Sequence, residues 1–152
     1  MGKTCVVIKH IHLGPVHPAD PSKGQIVECV GAVVRDDRRL LLVQRGHAPD
    51  LGLWSLPGGR VEDGETDADA LIRELREETG LAVQPTGFLG SVERPAADGR
   101  IFLIRDYTAV VTGGTLAAGD DAADARWVGP GELRELPLTS GLVEALTSWG
   151  VL

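Results

Sequence analysis

Residues 59–81 read GRVEDGETDADALIRELREETGL, and their spacing decides how the rest of the chain is read. Thr66 followed three residues later by Asp69 is a capping box, so a helix is predicted to start near Asp67. Gly80 supplies the left-handed residue that ends it near Thr79. At about 100° per residue, Leu71, Ile72 and Leu75 share one flank and are predicted to face a core. Glu74, Glu77 and Glu78 share a neighbouring arc.

Glu74 repels Glu77 at i,i+3 and Glu78 at i,i+4, each by a few tenths of a kcal/mol on a bare helix. A solvated acidic face is the ordinary reading of such a cluster. Beside a core-facing stripe, the cluster also suits a hard divalent cation, which takes oxygen ligands and offsets the repulsion. Arg73 lies one turn before Glu77 and can reach back to Glu65 in the preceding loop. Its planar fork of donors is suited to fixing carboxylates in place.

Written as a pattern, the stretch is Gly-x5-Glu-x7-Arg-Glu-apolar-x-Glu-Glu-x-Gly-apolar, filled by Gly59, Glu65, Arg73, Glu74, Leu75, Glu77, Glu78, Gly80 and Leu81. It resembles the signature of the Nudix hydrolases, which cleave a nucleoside diphosphate linked to another group. Seven specified polar or Gly positions would match by chance at about one in 10⁸–10⁹ per start, so the signal is specific. The approach Gly52-Leu53-Trp54-Ser55-Leu56-Pro57-Gly58 resembles the same family.

The resemblance implies an α+β fold, an α/β/α sandwich with a mixed sheet packed between helices. It implies Mg²⁺, with Mn²⁺ able to substitute. Glu74, Glu77 and Glu78 would be the metal ligands, joined by the Gly59 carbonyl and by Asp121 from the loop Asp120–Asp124. It makes Glu65 and Arg73 the pair that orients helix and loop, and leaves the general base open among the glutamates or outside the motif. Arg45 and Arg60 flank the expected cleft as candidate phosphate ligands. Trp54, Phe102 and Tyr107 could stack on a base, although core packing is the simpler role for each.

Composition is consistent with this reading. At 152 residues, 43% hydrophobic and 24% charged, the chain can bury one core and no second full domain. A net charge of −7 argues against a nucleic-acid polymer as partner. A small phosphate ligand stays open because a bound cation inverts the local sign. Cys5 and Cys29 form neither a zinc spacing nor a disulfide scaffold. No apolar run approaches eighteen residues and no signal peptide opens the chain, so the expected location is the cytoplasm.

In chain order, residues 1–24 read as an extra strand or arm, with a Pro-rich piece after Thr4–Ile11, ahead of a Nudix domain at 25–152. His10 and His12 read as surface residues before a metal pair. Gln25–Arg35 and Leu40–Arg45 are predicted strands joined by a polar turn. The apolar runs Val30–Val34 and Leu40–Val43 should be central, covered on both faces. Leu53–Leu56 is a predicted short strand. Leu81–Val83 starts an extended segment, and Phe88–Glu93 with Ile101–Val111 forms a predicted hairpin. A short strand is predicted at Ala125–Val128, a helical turn at Pro130–Leu136 and a last helix at Thr139–Trp149, with Leu142, Val143 and Leu146 inward.

The expected activity is Mg²⁺-dependent hydrolysis of the diphosphate of a small nucleotide, leaning to ADP-ribose or another nucleoside diphosphate sugar. The alternatives are a (deoxy)nucleoside triphosphate pyrophosphatase and a non-catalytic nucleotide-binding module. A homodimer stays open, as do the phosphorus attacked and the number of metals.

Overall fold

The computed structural model describes residues 24–119 and 121–152. The predicted arm and the His10/His12 reading fall almost wholly outside them. Strand β1 (Ile26–Asp36) turns tightly at Asp37-Arg38 into β2 (Arg39–Arg45). The short strands β3 (Trp54–Ser55) and β4 (Gly58–Arg60) lead into α1 (Asp67–Thr79). Then come β5 (Leu81–Pro95), β6 (Ile101–Gly114), β7 (Ala122–Val128), α2 (Pro130–Leu133) and α3 (Leu142–Ser148).

The sheet runs β3-β2-β1-β6-β5, with β4 added to β1 and β7 added to β2. β1 and β6 are parallel and the other pairs antiparallel, so the sheet is mixed, as expected. Alternation along the central strands sorts the core into two layers. Val30, Ala32 and Val34 of β1, with Leu41 of β2, pack against Ala70, Leu71 and Leu75 of α1. Val33, Leu40 and Leu42 pack on the other side against Leu133, Leu142 and Leu146 from α2 and α3. Both apolar runs are buried on both faces because each layer has its own helix.

Helix α1 has the predicted bounds. Thr66 Oγ1 accepts from Asp69 N–H at 3.1 Å, Asp69 caps in return, and Gly80 is left-handed at φ 72°. Ile72 is only half-buried; Ala70 and Thr79 complete the inner stripe instead. Three further boundaries differ from expectation. β5 is continuous through Pro85 because register shifts after Ala82, Pro85 and Phe88 absorb the irregular residues. β7 begins at Ala122 and so includes Asp124. α3 begins only at Leu142, since Gly141 is left-handed and Thr139 N–H is held by the Trp54 carbonyl at 2.9 Å. Val143 consequently faces outward, 44% exposed. Among the described residues no helix is long and apolar enough to cross a membrane.

Candidate active site

The site forms where α1 crosses the β4 edge, and two glycines allow the approach. At Gly58, an added Cβ would stand 2.8 Å from the Gly31 Cα and closer still to the Val30 carbonyl oxygen. At Gly59, a Cβ would stand 2.5 and 2.6 Å from the two Glu74 carboxylate oxygens. Glycine therefore lets β4 pair with β1 at one position and receive Glu74 at the next. Glu78, one turn on, accepts from Gly58 N–H at 2.9 Å.

Arg73 ties this arrangement together. Its Nε and one terminal nitrogen donate to the two Glu65 oxygens at 2.9 and 2.8 Å, a bidentate pair. The same side chain donates to the Arg60 carbonyl and to Glu74 at 2.9 Å, and to Glu77 at 3.3 Å. These bonds from Arg73, and then one from Glu62 N–H, hold the Glu65 carboxyl down to about 2. Glu74 and Glu78 behave oppositely. Burial pushes the Glu74 carboxyl up against the pull of Arg73. Burial also pushes Glu78 up to about 8, against the bond from Gly58. Two half-sheltered acids side by side form a spot where added positive charge is favourable.

Among the described residues, no three His, Cys, Asp or Glu side chains converge closely enough to enclose an ion. Glu74 and Glu77 turn to Arg73, and Glu78 turns to Gly58. The three side chains nevertheless belong to one helix face, and the oxygens of Glu74 and Glu78 border the Gly58-Gly59 turn, the donor chemistry that a hard cation takes.

The β6–β7 connection closes the far side. Ala117 N–H donates to the Thr79 carbonyl and Gly119 N–H to the Glu78 carbonyl, both at 2.9 Å. The connection lies so close that a Cβ on Gly119 would stand 3.3 Å from the Glu78 Cα. This docking delivers Asp121 to a cleft of about 140 Å³, shared with Arg45, His47, Gly58 and Glu78. Asp121 adds to the upward push on both Glu74 and Glu78. His47 Nε2 lies 3.7 Å from it.

The structure thus brings together Gly59, Glu65, Arg73, Glu74, Glu77 and Glu78, with Arg45 and Asp121 on the cleft wall. It places other candidates elsewhere. The Arg60 guanidinium lies over the Phe102 ring, 5.6 Å from its centroid. Asp124 is bonded to Arg126 and Ala125 N–H, and Asp120 lies outside the described residues. Trp54 is core. Tyr107 donates to Asp67, the first residue of α1, which Arg105 also grips through two bonds of 2.6 Å.

Sequence reading missed this latch on the helix start, and it missed Gly58 as the donor to Glu78. A signal for the latch was present. Arg105-Asp106-Tyr107 interrupts an apolar strand, and alternation puts Arg105 and Tyr107 on the same face.

The NUDIX domain family matches residues 26–147. The ADP-ribose pyrophosphatase of Methanocaldococcus jannaschii is 39% identical over 109 residues, 71% of this chain; that match covers 63% of the relative, just under two thirds of its length. The CTP pyrophosphohydrolase of Escherichia coli is 33% identical over 126 residues, 82% of this chain and 92% of the relative. The crystal structure of a MutT NUDIX hydrolase from Burkholderia pseudomallei superposes with a TM-score of 0.74 at 31% identity, covering 82% of this chain and 98% of that one. With the motif, the mixed sheet and the site built on α1 all in place, the chain belongs to the Nudix hydrolase family.

Proposed function

We propose that the protein hydrolyses the diphosphate linkage of a small nucleotide, using Mg²⁺ (or Mn²⁺) held by Glu74, Glu77 and Glu78 with the Gly59 carbonyl and Asp121. The observation that carries this reading is the meeting of Glu74 and Glu78 with the Gly58-Gly59 turn, at the mouth of a cleft that also holds Arg45. When bound, the cation neutralises charge on the phosphate oxygens and lowers the pKa of the attacking water.

The chain's own residues do the rest. Arg73 and Glu65 fix the loop and the first carboxylate of the face, so little reorganisation accompanies reaction. Arg45 offers a cationic wall to the phosphates. A glutamate of the α1 face accepts the proton from water as it attacks phosphorus in line with the leaving oxygen.

The names of the relatives divide between a nucleoside diphosphate sugar and a triphosphate as substrate, and both contain the linkage this site is suited to hold. The test is a panel of ADP-ribose, other nucleoside diphosphate sugars and nucleoside triphosphates with Mg²⁺, scored by released products. Wild type should turn over at least one class. Glu78→Gln should lower that rate by about a hundredfold or more, the scale for removing a key charged group. Binding without turnover across the panel would make the protein a nucleotide-binding module and overturn the proposal.

A further inference from the structure

Helix α1 leaves part of its own sheet face uncovered. Val30 of β1 lies in the α1 layer, and alternation puts Ile26 and Glu28 on the same side. Cross-strand pairing carries both positions over the sheet, Ile26 to Ile101 and Pro95, and Glu28 to Leu103 and Glu93. One row further on, Arg105 stands opposite Val30 and grips Asp67, so the helix begins there. Its core partners Val34, Val83 and Ala109 lie toward the other end of the strands. Ile26, Ile101 and Leu103 therefore belong to neither core layer, and nor does Phe88, which meets the Tyr107 ring edge-on from β5. Ile26 is 57% exposed and Phe88 49%. Glu28 and Glu93 stand exposed among them. Grouped apolar side chains at a surface, unlike single ones, mark a face that something covers.

The chain itself holds a segment of matching chemistry. Thr4–Ile11 reads TCVVIKHI, and residues 1–19 contain Lys3 and Lys9 but no Asp or Glu, in a chain of net charge −7. An apolar, cationic segment complements an apolar face edged by carboxylates. The point of attachment also fits. Gly24 N–H donates to the Gly99 carbonyl at 3.1 Å, and Ile101 N–H to the Gln25 carbonyl at 2.9 Å. The segment is thus joined to the sheet beside Ile101, at the margin of the uncovered face. At about 3.1 Å per residue for a Pro-rich linker, residues 12–23 reach roughly 37 Å. The face is three strands wide, about 10 Å, and runs about 20 Å from the Ile101 row to the Tyr107 row. The tether also makes docking intramolecular, at an effective concentration in the millimolar range, which favours this segment over a second copy.

We propose that Thr4–Ile11 folds back, within its own chain, over Ile26, Ile101, Leu103 and Phe88, with Lys9 set against Glu28 and Glu93. The face lies away from the cleft, and the inference does not rest on the hydrolase reading.

Cys5 gives the segment its own probe. In the whole chain carrying Cys29→Ser, Cys5 is the sole thiol and takes a nitroxide label. Amide signals of the ¹⁵N-labelled protein are compared before and after the nitroxide is reduced. The expected result is selective loss of the Ile26, Ile101, Leu103 and Phe88 signals, with those of α3, on the opposite face, retained. A ¹⁵N-labelled Cys5→Ser, Cys29→Ser chain mixed with nitroxide-bearing chain of natural isotope content should show no such loss. Ile8→Asp should restore the four signals and lower Tm by a few degrees, and Glu93→Lys should restore them in part. Loss spread evenly over the molecule, loss on the α3 face, or signals equally weak in Ile8→Asp would overturn the inference. Loss in the mixed sample would overturn it too, because a second copy would then be what covers the face.

Discussion

Adjacent glycines in the β4 turn should fail in different ways when each is replaced by alanine. In Gly59→Ala the new methyl meets the end of the Glu74 side chain, at 2.4 Å where ordinary contact begins at 3.4 Å. Glu74 must therefore retreat by about 1.0 Å, from 2.4 to 3.4 Å. A flexible side chain can do so for under about 1 kcal/mol. A 1 Å misplacement near the reacting centre costs about a hundredfold in rate. Gly58→Ala instead drives its methyl into the backbone of Val30 and Gly31, which cannot move without breaking the β1–β4 pairing. Overpacking against fixed backbone should cost about 3 kcal/mol or more. At about 2–4 °C per kcal/mol for a chain of this size, that lowers Tm by about 6–12 °C. Thermal unfolding and steady-state hydrolysis on both variants provide the assay. Gly59→Ala should melt within about 4 °C of wild type and lose about a hundredfold in kcat. Wild-type turnover in Gly59→Ala, or equal destabilisation of the two, would refute the placement of Glu74.

Mg²⁺ alone should raise Tm, because binding to the folded state contributes about 1.4 kcal/mol at ten times Kd; the Glu74→Gln, Glu78→Gln double variant should show almost none of this gain in the same melt. Burial raises the Asp106 carboxyl from 3.8 to about 7, so its contribution to stability is greatest below about pH 4 and is lost as pH rises to about 7. Asp106→Asn should flatten Tm over that range, and an unchanged slope would place the titration elsewhere. Arg105 holds the Asp67 carboxyl below its ordinary value, so that latch stabilises above about pH 4 and fails as pH falls further. Asp67→Asn should lower Tm at pH 7 and converge with wild type in acid; a constant difference would show that charge is not what matters there.

How much of this could be read from the sequence depends on the range of the interactions. The helix bounds follow from local chemistry, Thr66 with Asp69 at one end and Gly80 at the other, and local chemistry is visible in a string of residues. The two buried strand runs are legible for the same reason: Val30–Val34 and Leu40–Val43 are too apolar to have an exposed face. The bidentate grip of Arg73 on Glu65 is nearly local, eight residues apart, and its spacing suggested it. Asp121 is different. Its approach to Glu78 depends on backbone bonds from Ala117 and Gly119 to the end of α1, which no side-chain pattern announces. The late start of α3 depends on Thr139 being captured by Trp54, far away in sequence. That Asp106 stands between Gly31 and Gly90 is likewise invisible in sequence, because these residues meet only through sheet register.

The most direct test of the central claim is hydrolysis in ¹⁸O-water of whichever nucleotide the panel selects. If water attacks phosphorus at the carboxylate face of α1, every turnover should place the label on a phosphate oxygen of one product and none on a sugar carbon. With ADP-ribose, for example, labelled AMP or labelled ribose 5-phosphate is the predicted result. Label on the ribose carbon with ADP released would contradict the account, because it would mean cleavage of a glycosidic bond at a site with no carboxylate pair assigned to that chemistry.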